Sequence, residues 1–382
     1  SAWGHLFGSL AISWLTLVRV TDLANPVPTA LQSALLLCIP ILGAGIGIAW
    51  MFGRWAVLRQ SWPLIAVLGI LMGGGQVLVT LWDPVLAAFL PSFAAMLALF
   101  PLSRWKRFSE PFEGLPASRI MQQATGDSGA GSPRMSLGMA LLPYVILTAV
   151  ALLLSAVPPL HAFLRHFRIG LPFPSVTTGY GLVEPAYASY APLAFVTHPG
   201  CYLLLTSLLT YGIYGACGYF RPNEERESLW RALARAAIPS SIAVISFLVT
   251  SRVMSLSGQT DVLALGISQV ASPGVYAFAS NWLGVVGAFT TSSTTASNAL
   301  FGALQLRVAH YEGLSVPSIL AAHGAGSAVG NAIAPADVVL GTTTAGNAGA
   351  EGAILRLTLP WTVVMSLLIG GGTLLLAGFG VP

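Results

Sequence analysis

The sequence predicts an all-α polytopic membrane protein whose helices become discontinuous in the last third of the chain. Three observations carry this. Of 382 residues, 55% are hydrophobic and 8% charged, with a mean hydropathy of +0.77, whereas soluble domains carry about 25% charged residues. Apolar runs of about 20 residues, the length that crosses a hydrocarbon core, recur along the chain. Two later runs, 287–305 and 318–350, are apolar at their ends but interrupted by hydroxyl groups, glycine or proline.

Taken in order, residues 3–20 are apolar but rich in Gly and Ser, and read as a short span or a re-entrant piece. Residues 29–53 form a span, a basic loop follows to Trp62, and 63–82 cross again with Gly73, Gly74 and Gly75 at mid-depth, where small residues let helices approach. Trp82-Asp83-Pro84 reads as a turn into a span at 84–101. Residues 1–101 thus form a first set of spans, and 102–134 a polar loop with five basic residues and the flexible GDSGAGSP. Residues 135–257 form a second set: spans at 135–157, 199–219 and 238–257, an interfacial or partly re-entrant connection at 158–198, and an amphipathic surface helix at 220–237. The remainder, 258–382, ends in a span at 359–380. An upstream segment is expected to precede Ser1, which is not Met.

The charges are few enough to read singly. The net charge of +4 does not point to nucleic acid, because the basic residues lie in loops between spans. Those of 54–61, 102–134 and 217–237 fall on one side if the spans alternate. This asymmetry places them in the cytoplasm and the protein in the cell inner membrane, with the lipid bilayer as its partner. Cys38, Cys201 and Cys217 are too dispersed for a disulfide framework or a metal site. No phosphate loop and no nucleophile–base motif is visible, so the sequence calls for no cofactor, no metal and no enzymatic role.

The hydroxyl run is the chemical centre. Thr290, Thr291, Ser292, Ser293, Thr294 and Thr295 are consecutive, and Ser297 and Asn298 follow. Ser and Thr compete for backbone hydrogen bonds, so the run suits the meeting of two short helices better than one continuous span. Irregular backbone at membrane depth is tolerated where it is buried in protein or lines a wet cavity, and helix ends meeting there offer N–H groups to an anion. Ser327–Asn331 is a second polar break, followed by Pro335. Two interrupted segments flanking a polar centre point to a transporter binding site. On this reading Thr291–Thr295, Ser297 and Asn298 face a small carboxylate from one side and Ser327 and Asn331 from the other; the plainer role of the same groups is helix capping and packing. Asp337, an acid in an apolar region, reads as a proton carrier or as a helix cap. His323 reads as a second titrating group or as a packed core histidine.

With those residues laid out, the chain resembles the L-lactate permease family. The family signature Phe-x-Thr-Gly-Ser-Asn/Asp-Thr-Ser-Ser-Asn is matched by FTTSSTTASN at 289–298, with Ser292, Thr294 and Ala296 as the departures, and the following Leu-Phe-Gly-x-Leu-Gln run ends at Gln305. The stretch GSAVGNAIAP at 326–335, Glu351, Arg356, Trp62-Pro63 and Gln76 also match in character. The resemblance implies an elevator-type, inverted-repeat architecture with re-entrant hairpins. It also implies proton-coupled transport of lactate or glycolate, with Gln305 added to the substrate site. The alternative it leaves is a diverged, non-transporting membrane subunit that anchors a partner complex. A homo-oligomer and a larger complex both stay open.

Overall fold

A computed structural model describes residues 6, 8–109, 135–156, 159, 163–164, 166–177, 183–184, 186–219, 229–344 and 349–378. Most of the 102–134 loop, and residues 220–228 of the expected amphipathic helix, lie outside that set. The chain divides into two units, residues 1–126 with 243–382, and residues 127–242.

In the larger unit, α1 (Gly8–Thr21) is followed by α2 (Val27–Gly69), a π-helical turn at Ile70–Gly74 and α3 (Gly75–Thr80). The path from Val27 to Thr80 is a helical hairpin. Gly53 is extended and Arg54 has φ +50°, so the helix reverses there. The arms then run antiparallel in one register: a Cβ at Gly45 would touch Ile65, Leu42 sits over Gly69, Cys38 faces Gly73, and Gln76 Nε2 donates to the Ala34 carbonyl at 3.5 Å. The glycines of the second arm therefore supply the close approach. After a 3-10 turn at Pro84–Leu86, capped by Asp83 accepting from Val85 N at 2.9 Å, come α4 (Phe89–Ser103) and α5 (Lys106–Ser109).

In the smaller unit, α6 (Leu137–Ala156) packs on α7 (Pro199–Ala216), and Tyr214 Oη donates to the Met139 carbonyl at 2.7 Å. The segment expected to be interfacial within an all-α protein holds strands. β1 (Arg168–Phe173) pairs antiparallel with β4 (Tyr187–Ala194), and β2 (Val176–Thr177) with β3 (Val183–Glu184). Its prolines and aromatics explain this: Pro cannot donate in a helix interior, and each two-stranded ribbon leaves edges where Pro is tolerated. The next helix, α8 (Leu229–Leu256), continues without interruption across the expected boundary at 237.

The remaining helices are α9 (Gln259–Val270), α10 (Pro273–Thr291), α11 (Thr294–Tyr311), α12 (Val316–Gly330), α13 (Pro335–Thr344) and α14 (Glu351–Gly378). Every residue of α12 from Ser318 to Gly330 is buried. α10, α11, α2 and α14 surround it, so α12 is the axis of this unit. Its composition explains how. A Cβ at Gly326 would collide with the Asn281 backbone of α10, one at Gly330 with the Val285 backbone, and one at Gly284 with the His323 carbonyl and Ser327. Bare backbone at these points lets α10 and α12 touch main chain to main chain. α14 closes the other side, with Met365 over Gly43, Trp361 over Gly47 and Gly370 against Phe278.

Gly326→Ala is expected to lower the apparent Tm of the detergent-purified protein by an overpacking penalty of about 3 kcal/mol, because backbone cannot move aside as a side chain can. Gly74→Ala, where a Cβ would meet nothing within 4 Å, should leave it unchanged. Thermal unfolding of both variants beside the parent measures the contrast.

Candidate functional site

The hydroxyl run folds as two helices joined by two residues. α10 ends at Thr291, Ser292 takes the left-handed conformation (φ +50°, ψ +34°), and extended Ser293 caps α11 by accepting from Ala296 N at 3.2 Å. The break is therefore narrower than the run: Thr290 and Thr291 still belong to α10, and Thr294, Thr295 and Ser297 to α11. α12 ends in a 3-10 turn at Asn331–Ile333 and an extended Ala334, and Pro335 restarts the chain as the first residue of α13, a position where its missing N–H costs nothing. The two breaks meet: Ala336 N, in the first turn of α13, donates to Ser292 Oγ at 3.4 Å.

Behind this junction lies a buried polar layer. Counting protons in it decides what the hydroxyls can offer. Ser297 Oγ lies 3.2 Å from the Gly284 carbonyl, which can only accept, so the Ser297 proton goes there. Ser297 Oγ is also 2.9 Å from Ser327 Oγ, so the Ser327 proton goes to Ser297. Thr294 Oγ1 donates to the Ser327 carbonyl at 3.5 Å. Thr290 and Thr291 donate to carbonyls one turn back, Val286 at 2.9 Å and Gly287 at 2.7 Å. Ser13 of α1 and Thr295 share one hydrogen bond of 2.8 Å, and Asn298 Nδ2 donates to the Ser13 carbonyl at 2.9 Å. Most hydroxyl protons of the run are thus engaged within the protein. Ser292 and Ser293, whose oxygens accept from backbone N–H groups, keep theirs available.

Exposure follows the same division. Thr291, Ser292, Ser293 and Thr295 are half-buried, whereas Thr294, Ser297, Asn298, Gln305, His323, Ser327 and Asn331 are buried. Asp337 is half-buried in the first turn of α13, one residue beyond the Ala336 amide. Acidic groups favour that end of a helix.

A second chain of bonds fixes His323. Tyr276 Oη donates to Gln305 Oε1 at 2.6 Å, and Gln305 Nε2 donates to the Ser280 carbonyl at 2.7 Å, which sets the orientation of the amide. Gln305 Nε2 is also 3.4 Å from His323 Nδ1. The imidazole nitrogen facing an NH2 group accepts, so the neutral ring carries its proton on Nε2. That Nε2, and the Oδ1 atoms of Asn281, Asn298 and Asn331, are buried with no hydrogen-bond partner among the described residues. No group of three or more His, Cys, Asp or Glu side chains that could hold a metal occurs among the described residues.

The structure thus brings together the two polar stretches singled out in the sequence, through Ser297 and Thr294 on Ser327. Sequence reasoning missed Ser13, Tyr276, Ser280 and Asn281. Ser13 is 282 residues from Thr295, and no local pattern links such a pair. Tyr276 and Ser280 sit four apart on α10, a one-face spacing that was open to reading.

A profile of L-lactate permeases matches residues 4–379. The chain belongs to the L-lactate permease family. The L-lactate permease of Escherichia coli (strain K12) is 26% identical over 341 residues, which cover 83% of this chain and 58% of that protein. The glycolate permease GlcA of the same organism is 36% identical over 126 residues, 33% of this chain and 22% of the relative. A crystal structure of the Alcanivorax borkumensis YdaH transporter aligns with 98% of this chain and 85% of its own, at 16% identity and a TM-score of 0.38. This chain therefore spans just over half of the length of the Escherichia coli lactate permease. Among its described residues, four helical stretches are long and apolar enough to cross a membrane: Val27–Thr80, Pro84–Ser103, Leu137–Leu154 and Glu351–Gly378. With the family, they make this a multi-pass membrane protein, and its relatives are named as permeases, not enzymes.

Ser292 occupies a conformation that a side chain resists, at the position where the family signature places glycine. Ser292→Gly should raise the apparent stability by about 1 kcal/mol, the order of the left-handed penalty for a residue with a Cβ. Ser292→Val, branched at Cβ, should lower it. Apparent Tm values of the two variants, moving in opposite directions from the parent, are the expected result.

Proposed function

We propose that this permease family member is a secondary carrier for a small 2-hydroxy monocarboxylate, lactate or glycolate, coupled to protons. The observation that supports this most directly is the meeting of the two helix breaks, Ser292 Oγ on the Ala336 N–H, in a chain whose relatives are lactate and glycolate permeases. The α10–α11 pair then acts as a re-entrant hairpin with its tip at Ser292–Ser293 inside the membrane. Such an arrangement supports an elevator-type movement of this region.

The substrate carboxylate lies at the tip. Ser292 and Ser293 donate their remaining protons to it, and the first turn of α13 offers backbone N–H groups and a favourable dipole end. Thr291 and Thr295 line the rim. Thr294, Ser297, Asn298, Gln305 and Ser327 act from behind, holding the tip in shape through the bonds described above, and Asn331 lies buried at the end of α12. Neutral donors suit a monoanion that must be released as well as bound.

Asp337 couples the proton. An ionised carboxylate one residue from the Ala336 amide repels a bound carboxylate, so anion and proton bind together and leave together. His323 is the lesser candidate for this role. Its Nδ1 faces an amide, which is no ready proton acceptor, so its part is to hold Gln305 in place.

Uptake of labelled lactate into proteoliposomes carrying the full-length protein tests the reading. Asp337→Asn should reduce uptake driven by a pH gradient about tenfold or more while lactate–lactate exchange persists, because exchange never returns an empty carrier. Ser293→Ala should weaken lactate affinity about tenfold, the loss of one hydrogen bond to a charged group. Normal gradient-driven uptake by the Asn variant would remove Asp337 as the proton site, and parental affinity in the Ala variant would move the substrate away from the tip.

A further inference from the structure

We propose that the corner formed by the α2 reversal and the α4–α5 junction is a binding site for the headgroup of an anionic phospholipid. The first arm of α2, residues 27–52, is long enough at about 1.5 Å per residue to cross a hydrocarbon core of about 30 Å. Its reversal at Gly53–Arg54 therefore lies at one membrane surface. The end of α4 reaches the same surface, because α5 is stitched to the second arm of α2. Gln60 Nε2 donates to the Arg107 carbonyl, Arg107 Nε donates to the Gln60 carbonyl at 2.9 Å, and the Arg107 guanidinium also donates to the Arg59 carbonyl. These bonds engage the Arg107 side chain in structure and hold its neighbours in place.

What they hold is a cationic, aromatic corner. Arg54, Arg59, Arg104 and Lys106 are exposed around it. Between Trp50 and Ser109 the one acidic residue is Asp83, which caps the turn at the far end of the second arm. Arg54, Arg59 and Arg104 have no carboxylate within ion-pair distance among the described residues. Trp55, Trp62 and Trp105 are exposed at the same corner, with Trp55 edge-on to Trp50 at 5.3 Å and Trp105 edge-on to Phe108 at 5.6 Å. Exposed indoles belong at the headgroup level of a bilayer. Guanidinium groups offer the planar donor fork that phosphate accepts. Arg54, Arg59 and Arg104, without a carboxylate in ion-pair distance among the described residues and bordered by indoles that pack on acyl chains, match a phosphodiester headgroup carrying net negative charge. A zwitterionic headgroup supplies the phosphate but cancels its charge.

Native mass spectrometry of the detergent-purified full-length protein tests this, with phosphatidylglycerol and phosphatidylcholine of identical acyl chains as probes. The parent should retain phosphatidylglycerol at least about fivefold more strongly, the effect of one basic residue near an anionic surface. Arg54→Gln/Arg59→Gln/Arg104→Gln should lose that preference, and Arg231→Gln/Arg356→Gln, at exposed basic positions elsewhere, should keep it. If the triple variant is not monodisperse, Arg59→Gln and Arg104→Gln are compared singly, each expected to weaken the preference. Equal retention of the two lipids by the parent, or an undiminished preference in the corner variants, overturns the proposal. So does displacement by glycerol phosphate at equal concentration, which would assign the corner to soluble phosphates.

Discussion

The arrangement depends on backbone touching backbone between α10 and α12. Gly284, Gly326 and Gly330 leave no side chain between these helices, and the contact they permit sets the depth at which every polar group of the centre lies. Within lipid, association gains little from burial of apolar surface, because the surroundings are as apolar as the core; close van der Waals packing and interhelical hydrogen bonds do more. α12 shows the consequence. Nine of its fifteen residues are Ala, Gly or Ser, with His323 at its middle, yet it is enclosed throughout from Ser318 to Gly330. Ser297 of α11 bridges the two helices, bonded to the Gly284 carbonyl of α10 and to Ser327 of α12, so a wider separation would break one of these bonds and leave a polar group without a partner where no water is at hand.

The same constraint divides the hydroxyl run by role. The enclosed hydroxyls of α11 and α12 give their protons to carbonyls or to one another. At the turn, where Ser292 and Ser293 accept from amides, the geometry leaves O–H groups free to turn towards a ligand. The polar centre is thus layered, with an inner set that fixes shape and an outer set that can bind. Glu351 extends the same principle to the far end of α13: it accepts from Thr342 Oγ1 at 2.8 Å and from Gly349 N at 3.0 Å, tying the end of one helix to the start of the next.

The two breaks also differ in physical origin. That between α12 and α13 is enforced locally, since Pro335 cannot continue the hydrogen-bond ladder. That between α10 and α11 rests on Ser292 holding a conformation disfavoured for any residue with a Cβ. Such a residue persists only when its surroundings over-determine it. Here those are the Ser293 cap and the amide of Ala336. The sharper turn is the one supported across the fold.

By itself the sequence determined the class of the protein and the positions of its interruptions. Its hydropathy, its scarcity of charge, the glycines of the second α2 arm and Pro335 act through solvation and local backbone sterics, which need no knowledge of neighbours. The hydroxyl run was legible as a break for the same reason, and the family signature over 289–305 was legible as a string. Tertiary structure decided the rest. It narrowed the break to two residues, placed paired strands within the 158–198 connection, and brought Ser13 to Thr295 and Asn298. It also sorted the hydroxyls into those with a proton to give and those without. That sorting depends on which acceptor lies within about 3 Å of each oxygen, a matter of packing between segments far apart in the chain.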